Sequence, residues 1–335
     1  VGDFLAREAP RHVYFSAARY DDPGAKSMDE KGWRGADLVF DLDADHLPSV
    51  DPEMATYAEM LDACKDALYR LLDFLEEDFA FEDLSVVFSG SRGYHVHVRD
   101  ESIQGLDRDS RREVVDYVRG IGLDLDSVVT EETVAGSAGR ETPATNRYLP
   151  TDGGWGGRIH DRLVSVMAEV REMEEESAVE RLTEFEGVGE KKARTAYRFA
   201  SERFEEIERG NLSAHNVFEN LAAQVAPTIV AEANAPIDEP VSTDTHRLIR
   251  LPWSLHGGSG LAVRPIAREA LGDFDPLVDA VPETFRGHDI AVDVTEGGTV
   301  ELGGDSFTLE AGVHSVPEYL GVFLMTRGRA EKVTE

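Results

Sequence analysis

The sequence predicts an α+β fold, and three observations carry that prediction. Short apolar runs with strand-like alternation are joined by tight glycine turns, as at 84–99 and 289–309. From Met54 to Leu75 apolar residues return at helical spacing. Strands and helices are mixed with hairpins, which argues against a doubly wound parallel sheet.

Residues 11–20 and 36–43 read as strands, separated by a turn at Asp22-Pro23-Gly24. After Asp51-Pro52 a long helix is expected, with Met54, Tyr57, Leu61, Cys64, Leu68, Leu71, Leu72 and Leu75 on its buried stripe. Leu84–Ser89 and Tyr94–Arg99 form a strand pair around Gly90-Ser91-Arg92-Gly93, and 109–119 is helical. Gly153-Gly154-Trp155-Gly156-Gly157 reads as a loop, and 160–225 as charged amphipathic helix. Ile237–Val241 and Leu248–Leu251 are strand-like, 289–309 is a small antiparallel sheet with two Gly-Gly turns, and a helix starts at Pro317. The expected organisation is a core of 1–150 and 226–335 interrupted by a helical insert, 151–225.

Asp and Glu total 66 against 34 Lys and Arg, a net charge of −32. Bulk charge alone argues against a polyanionic partner. The acid is spread along the chain, however, and 41% of the residues are hydrophobic, so the chain folds rather than remaining an acidic coil. Such a surface suits concentrated salt, where the Debye length shrinks to about 3 Å at 1 M. The acidity therefore speaks of a halophilic habitat and leaves the chemistry open. One cysteine, Cys64, excludes an internal disulfide or a cysteine-rich zinc site. No signal peptide or membrane-length apolar run is present, so a cytoplasmic protein without a membrane partner is expected.

Three segments carry chemistry. In Val39-Phe40-Asp41-Leu42-Asp43 the alternation of a strand puts Asp41 and Asp43 on one face. Paired acids ending an apolar strand suit a hard divalent cation, Mg²⁺ or Mn²⁺, that completes its shell with water and phosphate; alternatively, both are simply solvated. In Ser89-Gly90-Ser91-Arg92-Gly93-Tyr94-His95-Val96-His97, glycine-flanked amides, Arg92 and the Ser89 hydroxyl fit a phosphate, though an ordinary hairpin has the same glycines. His95 and His97 share a strand face, one for phosphate and the other equally well a core histidine. In the third segment Asp238, at a strand start, would complete a carboxylate triad with Asp41 and Asp43, while Arg250 and His256 flank a proline turn and would hold further phosphate charge.

Three carboxylates with Arg and His donors are the parts needed for nucleotidyl transfer. The D-x-D strand, the S-G-x-R-G-x-H turn and the late D-E-P…R-L-I-R-L-P-x-S-L-H segment occur here in the order in which archaeal and eukaryotic DNA primase small subunits carry them. The chain resembles that family, and a haloarchaeal member in particular, over about 11–150 and 225–335. The resemblance implies a primase-type mixed α/β core that makes short primers on single-stranded DNA from nucleoside triphosphates. It implies Asp41, Asp43 and Asp238 as metal ligands and catalytic residues, with Asp244 a second choice for the last. It also implies that Ser89, Arg92, His95, Arg250 and His256 grip the incoming triphosphate. The implied partner is a large primase subunit bearing an iron–sulfur cluster, in a heterodimer.

The chain departs from that pattern in three places. Ser49–Met60 lacks the cysteines and histidines of the archaeal zinc motif, so no zinc is expected. His256-Gly257-Gly258-Ser259-Gly260 stands where many relatives have H-G-K-T-G, which removes a phosphate lysine. The segment before the first strand is short, so an N-terminal truncation is expected. Phe185–Ala193 has the glycine spacing of a helix-hairpin-helix turn that contacts DNA phosphate, or of a plain capped turn. A haloacid-dehalogenase-like phosphatase also opens with D-x-D, but it requires Thr or Val where Asp45 stands. A repair-type primase-like polymerase and a non-catalytic scaffold subunit are the other readings.

Overall fold

The computed structural model describes residues 2–10, 12–48, 50–51, 54–134 and 144–333. The chain falls into two compact units, Val1–Tyr69 with Phe81–Val115 and Pro236–Glu335, and Arg70–Ala80 with Asp116–Ala235.

The first unit is built on a four-stranded antiparallel sheet, in the order Arg264–Ile266, Leu84–Phe88, Gly93–Val98, Leu38–Asp43. The inner strands are rich in Val, Phe and Tyr, and Leu38, Phe40, Leu42, Phe88, Tyr94 and Val96 are fully buried. The helix Tyr57–Asp73 covers this sheet: Leu61, Cys64 and Leu68 are buried, and the Cys64 thiol donates to the Leu42 carbonyl at 3.7 Å. A second small sheet pairs Tyr14–Ser16 with Leu248–Arg250, and packs Phe15, Ala17, Val39, Val241 and Ile249 together. Arg111 is wholly buried, donating to the carbonyls of Ala36, Asp37 and Leu106. Those bonds make a buried guanidinium tolerable.

Two expectations need correction in this unit. Ile237–Val241 is not a strand: Glu239–Ser242 is a helical turn with Asp238 at its N-cap position. Proline suits a first helical turn, where an N–H has no partner to lose, so Pro240 starts a helix here. Nor is 289–309 one sheet. Asp289–Val294 pairs instead with Gly312–Pro317 and Ala330–Lys332. The amide of Thr295 is drawn to the Arg329 carbonyl, which leaves Gly298–Leu302 and Asp305–Leu309 as a separate hairpin. The closing helix runs Glu318–Thr326, as expected from Pro317.

The second unit is mainly helical: Gly154–Glu172, Glu175–Thr183, Glu190–Glu202, Phe204–Glu208 and Asn216–Ala233, with a hairpin of Thr130–Val134 and Ala144–Tyr148. The expected insert, 151–225, lies within it, but the unit starts earlier in the sequence and ends later. Gly153–Gly157 is not a loop; the helix begins at Gly154, and Trp155 is buried. The reason lies far away in sequence. The buried Asp78 carboxylate accepts from the Gly154 amide at 3.0 Å, the Tyr117 hydroxyl at 3.0 Å and Arg158 at 2.7 Å. An acid on a helix N-terminus satisfies an otherwise orphaned amide and complements the dipole. The Phe185–Ala193 turn is held from within and by a neighbouring helix: Lys192 donates to the Gly187 carbonyl at 3.0 Å, and the Glu186 amide donates to Gln224 at 2.6 Å. Among the described residues no helix is long and apolar enough to cross a membrane.

Candidate active site

The edge strand Leu38–Asp43 and its neighbour Gly93–Val98 bring the first two motifs together by register. Asp41 pairs with His95 and Asp43 with Gly93, so the D-x-D face and the His95 face meet across one ladder. The His95 Nε2 lies 3.4 Å from Asp41. His97, one pleat further in, is buried against Asp37 at 3.2 Å and stacks on Phe15. His97 is therefore a core histidine, and His95 is the one that faces the acids.

The Ser89–Gly93 turn is held by packing on both sides. A side chain at Gly93 would meet the Leu42 carbonyl at 1.9 Å, and one at Gly90 would meet His256 Cβ at 2.8 Å. Gly90 also has φ +85, in the region that favours glycine. The Ser89 amide donates to the Gly93 carbonyl at 2.9 Å and the Ser91 amide to the Ser89 hydroxyl at 3.4 Å. The glycines thus serve close approach, while those two amides are spent within the turn. Ser259 is buried and donates to the Gly90 carbonyl, which ties the third motif to this turn.

Asp41, Asp43, Ser89, Arg92, His95, Arg250 and His256 all line one cavity of about 260 Å³. Asp238 is not on its wall, but its amide donates to the Asp41 carbonyl at 2.9 Å, which places the Glu239–Ser242 turn directly behind the strand end. Arg112 anchors that turn through Glu239 at 3.1 Å. Arg92 pairs with Asp45 at 2.5 Å. Asp244 instead caps the local turn, accepting from the His246 amide at 2.8 Å. Two wall residues had not been singled out from sequence. Tyr14 accepts from Arg250 at 3.3 Å and stacks under its guanidinium. Arg247 places a buried Nε without a hydrogen-bond partner in the same cavity. The R-x-x-R spacing of Arg247 and Arg250 was the one available signal.

The electrostatics divide the cavity. Burial, then the charges of Asp43 and Asp238, push the Asp41 carboxyl up to about 7. His95 is lowered to about 3, first by burial and then by His97, Arg247 and Arg250. His256 falls to about 4 through burial, Arg250 and Arg92. Asp41 is thus left under-compensated, while burial and the nearby arginines keep both histidines neutral. The donor set at the acidic end is all oxygen, which fits a hard divalent cation. Among the described residues no three Asp, Glu, His or Cys side chains close into a ready-made cage. An open pair of carboxylates is how Mg²⁺ is commonly held, with water and substrate phosphate supplying the rest.

This geometry coincides with family membership. The family model described as DNA primase small subunit matches residues 40–268, which span all three motifs. The DNA primase small subunit PriS of Haloarcula marismortui is 63% identical over 335 residues, covering 100% of this chain and 86% of the relative. That of Natronomonas pharaonis is 59% identical, covering 100% and 85%. The Methanococcoides burtonii protein is still 40% identical over 99% of this chain and 85% of its own. With matches at this level across its length, the chain belongs to the DNA primase small subunit family.

Proposed function

We propose that this chain is the catalytic component of a primase, synthesising short primers on single-stranded DNA, and that Asp41, Asp43 and Asp238 are its metal ligands. The observation that supports this most directly is the shared cavity, which brings Asp41 and Asp43 together with Arg92, Arg250 and His256; Asp238 is added by its place behind the strand end, where its amide holds the Asp41 carbonyl and its charge raises the Asp41 carboxyl. Mg²⁺ or Mn²⁺, held by the three aspartates, would activate the attacking 3′-oxygen and offset charge on the departing pyrophosphate. Arg92 and Arg250 provide planar donors for the triphosphate, and Ser89 adds a hydroxyl. His95 and His256 stay neutral at physiological pH and each donates one N–H rather than a charge. Arg247 joins this set as a further donor. A large subunit completes the enzyme as a heterodimer in this reading.

The test is synthesis on unprimed single-stranded DNA, with ribo- or deoxynucleotides, divalent metal and high salt. Products are expected without a primer, and Asp41→Asn or Asp43→Asn is expected to abolish them while circular dichroism stays unchanged. Arg92→Ala and Arg250→Ala should raise nucleotide KM by about 10- to 150-fold, the value of one charge-assisted contact. Near-normal turnover by Asp41→Asn would reject the metal site, and synthesis only from an existing primer would favour an extension polymerase.

A further inference from the structure

The Ser89–Gly93 turn is clamped by its carbonyls. The Gly90 carbonyl accepts from the buried Ser259 hydroxyl, that of Ser91 from the Tyr57 hydroxyl at 2.6 Å, and that of Arg92 from the Ala44 amide at 3.1 Å. The backbone of Arg92 is therefore set. What stays free is its long side chain, which must be ordered before it can serve a ligand. Asp45 supplies the ordering contact. Its Oδ2 lies 2.5 Å from Arg92 Nη2, and both side chains are partly exposed. Register makes this meeting local: Asp43 stands opposite Gly93, and the turn Ala44–His46 sets Asp45 beside Arg92.

Asp45 stands where it can order Arg92 without blocking it. Arg92 lines the cavity and Asp45 does not, so the carboxylate meets the guanidinium from off the wall. It takes one nitrogen, and a guanidinium presents several N–H donors, which leaves the rest of the fork for phosphate. The other Asp45 oxygen is buried and has no hydrogen-bond partner among the described residues. A carboxylate oxygen stranded in this way costs stability, so the needs of the fold alone do not account for Asp45. Arg92 does need a counter-charge. After burial, its charge is among those that lower Arg327 and His256, so it stands among cationic and basic groups. Without Asp45, the charge of Arg327 would turn the guanidinium toward solvent. The Asp45 amide meanwhile donates to Asp43 Oδ1 at 3.1 Å, a bond that a change of side chain leaves in place.

We propose, resting on the reading of Arg92 as a triphosphate ligand, that Asp45 is a positioning residue for nucleotide binding, holding Arg92 over the cavity in the pose that receives the triphosphate. The probe is ATP, read as KM and kcat in synthesis on unprimed oligothymidylate and, without turnover, as the Kd of a fluorescent ATP. Both use the full chain with Mg²⁺ in about 1 M KCl. Asp45→Asn keeps the shape of the side chain and removes its charge. It should raise KM and Kd by about 3- to 30-fold, with kcat within about twofold of wild type. In an Arg92→Ala background the same change should add less than about twofold. Asp45→Ser is carried through the same cycle, so that the result does not hang on one variant folding. If Arg92→Ala leaves Kd unchanged, Arg92 is not a triphosphate ligand, and that reading falls together with the role of Asp45. If Arg92→Ala weakens ATP while Asp45→Asn leaves it unchanged or tightens it, the positioning role alone is overturned. A loss in kcat alone, or a loss that persists undiminished beside Arg92→Ala, would assign Asp45 to the metal end and likewise overturn it.

Discussion

His95 and His97 stand two residues apart on one strand face and end in different environments. The alternation of a strand showed that they share a face, but not which one reaches the cavity. That was decided by Asp37, which accepts from Arg99 at 3.0 Å and holds His97 in the core. The same distinction yields a pH prediction. His256 is held neutral down to about 4, whereas an unfolded histidine protonates near 6.5. Between those values the unfolded chain binds more protons, so this group removes stability as pH falls. Asp41, raised to about 7, works in the opposite direction across the whole of that range. The measurement is therefore a difference: thermal unfolding of wild type and His256→Gln, with chelator, between about pH 4 and 7. The variant should lose less stability on acidification, by about 1 kcal/mol or less at about pH 5 once solvent screening is allowed for. Parallel curves would show that His256 is not held neutral by the fold. Arg247 was less legible than either histidine, because it lies just before the strand Leu248–Arg250 and carries no periodicity, leaving its spacing from Arg250 as the signal.

At the scale of elements, local pattern located the pieces and distant contacts set their boundaries. The stripe from Tyr57 to Leu75 and the strands at 38–43 and 84–98 were legible because each buries one regular face, whereas Met54, expected on that stripe, lies before the helix and is 81% exposed. The helix start at Gly154 was not legible, because its amide is capped by Asp78, 76 residues earlier. The turn at Asp238 was misjudged for a related reason: a strand-like apolar run was read through a proline that begins a helix. The Ser89–Gly93 turn shows the difference most clearly, since glycines expected to bare amides to phosphate also permit two close approaches that local sequence does not show. Gly93→Ala should accordingly destabilise the chain by about 2 kcal/mol or more, because the new methyl collides with the backbone carbonyl of Leu42. A chemical denaturation midpoint within error of wild type would show that the strand pair gives way freely, and that the register placing Asp43 opposite Gly93 is not held there.

At the scale of the whole molecule, charge and task conflict, because a chain of net charge −32 belongs to a family named for priming DNA. In dilute buffer its carboxylates repel one another and repel DNA over about 10 Å or more. At about 1 M salt that reach shrinks to about 3 Å, and both repulsions fade together. Ordinary phosphate contacts fade as well, losing about 10³–10⁵ in affinity between 50 and 200 mM salt when six to ten are made. Contacts at short range survive: oxygen ligands around a cation, and paired arginine donors in a partly buried cavity such as that of Arg92, Arg247 and Arg250. Salt should therefore help folding more than it harms catalysis over the lower part of the range. Thermal stability and primer synthesis are both expected to rise from about 0.1 M KCl toward the molar range, whereas a primase with a balanced surface should lose activity over that interval. The acidic surface, not the site, is the cause, so Asp41→Asn should gain stability with salt as wild type does while remaining inactive throughout. A steady fall of both stability and synthesis from about 0.1 to 2 M KCl would show that the acidity is not an adaptation to salt, and would leave the family assignment untouched.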